Sequence, residues 1–117
     1  MNTVDKIYSN EVGMSFYWTR ERKTLLPKIQ LVFRNTGFLL SLNELKDFSS
    51  FCASSLSTQN CNACKAHSSC KTFLLRTPSD KIDLAVSSEE LIQIQELING
   101  TIFRIEMKQW ITSLCLN

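Results

Sequence analysis

The chain has 117 residues, 44% of them hydrophobic, with only 3 Gly and 2 Pro. That is enough for one folded domain over 1–117 with one core, and it excludes low-complexity and disordered classes. A formal net charge of +2 is too small to imply an electrostatic partner, and no apolar run approaches the roughly 20 residues of a bilayer span, so no membrane partner is expected.

In chain order, Met1 to Val12 carry Asp5, Lys6 and Glu11 and no apolar core, so no signal peptide is expected. A cytoplasmic compartment follows as the expectation. The five cysteines should then stay reduced, and their odd number argues against a closed disulfide framework. Val12, Met14, Phe16 and Trp18 alternate with Gly13, Ser15, Tyr17 and Thr19, the period of a strand. The basic cluster Arg20-Glu21-Arg22-Lys23 is interrupted by an acid and has no second basic stripe to support it. It reads as a solvated loop, and nucleic acid is a disfavoured partner.

After Pro27, Ile29, Leu31 and Phe33 alternate with polar or mixed residues, and Asn35-Thr36-Gly37 is the expected turn, with Gly37 free to take positive φ. The returning strand ends at Ser41, which with Glu44 matches a capping box and predicts a helix over about 42–55. The pattern recurs 46 positions later, from Ser41 to Ser87: Phe38–Leu45 falls on Leu84–Leu91, Phe48 on Ile94, Phe51 on Leu97 and Cys52 on Ile98. In the second copy Phe73 and Leu75 form the outgoing strand and Thr77-Pro78-Ser79-Asp80 the turn. Ile82, Leu84 and Val86 form the return, and Ser87 with Glu90 caps a helix over about 88–99.

A lone hairpin is marginal in water. Two ββα units, about 28–55 and 71–98, are therefore expected to sit about a pseudo-twofold axis and share one antiparallel sheet of four to five strands, with both helices on one face. The class is α+β. The helices should cover Ile29, Leu31, Phe33, Phe38, Leu40, Phe73, Leu75, Ile82, Leu84 and Val86. Val32, Leu39 and Leu74 make the opposite face too apolar to be left entirely bare.

The polar connection 56–70 holds Cys61, Cys64, His67 and Cys70 at intervals of three. Thiolate and imidazole are the ligands Zn²⁺ prefers, but zinc sites usually separate their ligand pairs by a dozen or more residues. Three readings stay open: a zinc site, a thiol redox pair helped by Lys65, and a structural turn whose small semi-apolar cysteines pack against the domain.

Asn99-Gly100 is expected to end or kink the second helix, with a separate C-terminal helix over about 101–115. Phe103, Met107, Trp110 and Leu114 fall at helical spacing and offer more apolar surface than one small core needs. That stripe is the expected contact with a second copy or another protein. Trp18 and Trp110 otherwise read as core or rim aromatics.

The strings Ile29-to-Phe33, Gly37-to-Leu42, Glu44-Leu45, Arg76-Thr77-Pro78-Ser79, Leu84-to-Ser87 and Glu90-Leu91 resemble a family of short bacterial proteins of unknown function. The resemblance covers roughly residues 12 to 115 and implies the tandem hairpin–helix fold, with no activity. Relatives often carry Cys-x-x-Cys ahead of the first hairpin. Lys23 to Lys28 contain no cysteine, so no role of such a pair transfers.

There is no Gly-rich phosphate loop, no nucleophile elbow and one histidine. Glu44 and Glu90 are explained as caps. The expected function is a non-enzymatic binding or assembly module without a cofactor. The alternative is a small metal-binding or thiol-redox protein built on Cys61, Cys64, His67 and Cys70, with Zn²⁺ as the candidate ion.

Overall fold

Both capping boxes form, and each marks the change from strand to helix. The Ser41 hydroxyl accepts from the Glu44 N–H at 3.2 Å while the Glu44 carboxylate accepts from the Ser41 N–H at 2.9 Å. Ser87 and Glu90 repeat the exchange at 3.1 and 3.0 Å. Two of the otherwise orphaned donors at each helix start are satisfied in this way. The helices are α1, Leu42–Ser57, and α2, Ser88–Cys115. The structure is a computed structural model that describes residues 2–20, 23–24, 28–57 and 73–115.

The larger antiparallel sheet runs β1 (Asn2–Ser9), β2 (Gly13–Arg20), β4 (Ile29–Phe33), β5 (Thr36–Leu40), with the short β3 (Lys23–Thr24) also pairing β2. The second hairpin, β6 (Phe73–Arg76) with β7 (Asp83–Val86), forms its own two-stranded sheet. The class is α+β, and the strands of the main sheet come from a different source than expected. The two hairpins do not merge; β1 and β2 extend the first one, while β6 rests on α1. α1 and α2 pack on each other, α2 also on β1 and β2, and α1 also on β5.

Asn10, in the β1–β2 turn, ties that hairpin to α2. Its Oδ1 accepts from the Val12 N–H at 3.0 Å, and its Nδ2 donates to the Gln93 carbonyl at 2.9 Å and the Glu96 carboxylate at 2.8 Å.

The first hairpin closes one residue earlier than Asn35-Thr36-Gly37 suggested. Phe33 pairs with Thr36, leaving Arg34 and Asn35 as the loop, and Arg34 rather than a glycine takes the left-handed conformation, at φ 56°. Gly37 lies within β5 opposite Val32. This register puts Leu31 opposite Phe38, so that Phe33, Phe38 and Phe48 cluster with ring centroids 5.5–6.2 Å apart, Phe33 and Phe38 stacked and Phe48 edge-on to Phe38. A later turn would move Phe38 to the other face.

The second turn also shifts, to Ser79–Ile82, where the Ile82 N–H meets the Ser79 carbonyl at 3.2 Å. The buried Thr77 hydroxyl holds it, donating to the Ile82 carbonyl at 2.6 Å. Ile82 itself is outside β7 and exposed, not part of the covered face.

The core is continuous through both units: Leu31, Phe33, Leu45, Phe48, Cys52, Leu75, Val86, Leu91, Ile94, Leu97 and Ile98 are buried together.

α2 is one helix across Asn99-Gly100, which corrects the expected break. Gly100 matters for a different reason: a Cβ there would overlap the Tyr8 ring, which lies against the helix and would have to move. The position asks for the absence of a side chain, and the helix continues through it.

Candidate interaction surface

α2 is fixed to the body as far as Glu106. Thr101 is fully buried and donates its hydroxyl to the Leu97 carbonyl at 2.7 Å, leaving its oxygen to accept from Ser15 on β2, also at 2.7 Å. Ile105 is the last buried residue. Arg104 lies over the Tyr8 ring at 5.6 Å, and Lys46 of α1 meets Glu106 at 3.2 Å. From Glu106 to Cys115 every residue is exposed, yet the chain stays helical.

The stripe expected from the sequence begins one turn before that stretch and runs through it. Phe103 is 62% exposed, Met107 39%, Trp110 64% and Leu114 54%. At about 100° per residue the four fall on one face, within about 60° of each other and opposite Ile105 and Thr112. The steps of four, three and four are those of a coiled-coil seam, with Phe103 and Trp110 in one core position and Met107 and Leu114 in the other. Ile111, which the sequence reading did not single out, is 48% exposed and widens the stripe on one side. Its position four residues after Met107 is the signal that could have found it.

On its inner side the same stretch roofs a groove of about 470 Å³ against β1 and β2, lined by Lys6, Tyr17, Arg104, Ile105 and Lys108, and by Met107 and Ile111 where the edge of the stripe turns towards the body, with Asp5 beside them. Burial pushes the Tyr17 hydroxyl pKa up, and the Asp5 carboxylate adds to the shift. The groove was not legible in the sequence because β1, which supplies Asp5 and Lys6, was not recognised as a strand.

The face of the sheet away from the helices carries exposed Val4, Trp18 and Leu39. Trp18 stands over this face as a rim aromatic. Its indole N–H donates to Gln30 at 3.0 Å, and its ring meets Phe16 edge-on at 5.0 Å. Leu74 of β6 is also exposed.

Cys61, Cys64, His67 and Cys70 lie outside the described residues. Of the other cysteines, Cys52 is buried in the core, and burial pushes its thiol pKa up to about 12, so it is not a reactive thiolate at neutral pH. Cys115 is exposed. No group of three or more His, Cys, Asp or Glu positioned to hold a metal ion occurs among the described residues. None of the described helices is long and apolar enough to cross a membrane.

Comparison with protein-family models, curated proteins and solved structures found no match to the chain.

Proposed function

We propose that the chain is a non-enzymatic association module that pairs with a second copy of itself through the outer face of α2. The observation that carries this reading is an apolar stripe, Phe103, Met107, Trp110 and Leu114, turned to solvent on a helix whose preceding turns are anchored by Thr101 and Ile105. A loose tail would lose much conformational entropy on docking. A helix already held in place loses less.

Area supports a second copy as the occupant. The exposed stripe with Ile111 offers on the order of 500 Å² per chain, so a symmetric pair buries about 1,000 Å², the lower edge of specific interfaces. Trp110, at its centre, is of the residue type that most often dominates binding energy at such contacts. The resemblance to short bacterial proteins implies a fold and no activity, so it adds nothing to this choice.

Light scattering across the micromolar range tests the reading. A concentration-dependent dimer is expected, and Trp110→Ser should weaken it at least about tenfold. A strict monomer throughout that range, or a dimer indifferent to Trp110→Ser, rejects the proposal.

The Cys61, Cys64, His67 and Cys70 set rests on ligand type alone. Stoichiometric zinc in protein purified without an affinity tag is the measurement that would establish it.

A further inference from the structure

Resting on the pairing just proposed, we infer that the two copies meet antiparallel, about a twofold axis between residues 108 and 109, with Phe103 against the partner's Leu114 and Met107 against the partner's Trp110. Three observations bear on this arrangement, and the first two select it over a parallel one.

The first is volume. The steps of four, three and four read the same in both directions, so an antiparallel pair keeps all four side chains in register. Its layers are Phe with Leu and Met with Trp, a large ring opposite a smaller or more pliable chain each time. Methionine is the side chain best able to adapt around an indole. A parallel pair would instead stack Trp110 on the partner's Trp110 and Met107 on the partner's Met107, leaving one layer overfilled and its neighbour loose.

The second is charge. The last turn of α2 carries no basic side chain to offset the partial negative charge of its free carbonyls. In the antiparallel pair that end lies beside the partner's Arg104; in the parallel pair it lies beside the other copy's equally uncompensated end. Arg104 is exposed on the flank of the seam, with its guanidinium over the Tyr8 ring of its own chain.

The third is the direction of the seam. Its side chains project opposite Ile105, the last residue that faces the body. The two bodies therefore stand outside the contact and do not compete with it. The axis also places the two Cys115 residues about 20 Å apart along the helices, too far for a disulfide between them.

The test uses the full chain with Cys61, Cys64, Cys70 and Cys115 replaced by Ser; Cys52 stays because it is buried. Phe103→Cys and Leu114→Cys are made in separate chains and oxidised with oxidised glutathione at about 100 µM, a concentration chosen to offset the lost layer. A covalent dimer that forms only when the two chains are mixed, and from neither alone, is the expected result. Self-linking of either single variant means a parallel pair and overturns the inference while leaving the dimer reading intact. A dimer by light scattering that links in no combination overturns it as well. If light scattering gives a monomer for the unsubstituted chain, the pairing itself fails first, and the two failures are thereby told apart.

Discussion

Between Ser88 and Ile105, α2 turns Leu91, Ile94, Leu97, Ile98 and Ile105 inward until they are buried, whereas from Glu106 to Cys115 the large apolar side chains face water. Propensity does not separate these two stretches, since both are helical and both carry large apolar residues. What differs is the face. The apolar stripe of the first part points at the sheet and α1, and the stripe of the second is rotated about half a turn away from Ile105. One helix thus serves the interior of its own chain and, in the proposed reading, the surface of another. Apolar content alone does not distinguish core from contact; the angle at which it emerges from the helix does.

The sharpest way to break that contrast is to truncate one side chain from each part. Leu97→Ala opens a cavity in the core and should cost about 2–5 kcal/mol of folding stability in urea unfolding. Trp110→Ala should leave folding within about 0.5 kcal/mol when measured at a concentration where the wild type is monomeric. A folding loss of several kcal/mol for Trp110→Ala would place the indole in the chain's own core and end the comparison.

Gly100→Ala probes the boundary. Helix propensity alone favours alanine by about 1 kcal/mol, but the new methyl group overlaps the Tyr8 ring, and such overpacking typically costs about 1–3 kcal/mol. Net destabilisation is expected. A variant more stable than wild type would mean the Tyr8 contact gives way freely and that α2 is not held where the two parts meet.

A smaller effect is expected at Ser15→Ala, which leaves the buried Thr101 oxygen without its donor and should cost about 1 kcal/mol. A stability unchanged within error would show that this hydroxyl pair does not anchor α2 to β2.

The smallest effect lies in α1 and depends on pH. The Ser41 backbone N–H, and then its hydroxyl, hold the Glu44 carboxyl below its ordinary pKa. With the folded value below the unfolded one, the stabilisation is complete at neutral pH and fades as pH falls through the acidic range. The stability difference between wild type and Glu44→Gln should therefore be largest near pH 7 and shrink towards about pH 3 in urea titrations. A difference constant across that range would show that the charge on the cap contributes nothing.

Local features were readable from the sequence and long-range ones were not. Ser41 with Glu44 and Ser87 with Glu90 form their caps because the partners are three residues apart, and nothing distant is needed to bring them together. The spacing of Phe103, Met107, Trp110 and Leu114 was legible for the same reason. Their exposure was not, since it depends on where Ile105 and Thr101 dock.

The β1 strand escaped notice because Asp5 and Lys6 interrupt its apolar pattern, and an edge strand tolerates such charges. A bulge between Lys6 and Tyr8 further breaks the period of two. Gly100 was read as a helix end because the Tyr8 ring that needs its bare backbone is far away in sequence. The separation of the two hairpins into two sheets is likewise a matter of tertiary packing, with β6 seated on α1.

The turn residue Arg34 ties the order of folding to the second unit. Its left-handed backbone is unfavourable for a side-chain-bearing residue by about 1–2 kcal/mol, so the first hairpin is poorly favoured to close there on local grounds. Its guanidinium donates to the Ala85 carbonyl at 3.2 Å and pairs with Glu90 at 3.2 Å, both more than fifty residues onward. The compensation for the strained turn arrives only when β7 and the start of α2 are in place. The hairpin tip should therefore set late, after Arg34 has met Ala85 and Glu90, and a nascent first unit emerging alone should keep that tip open.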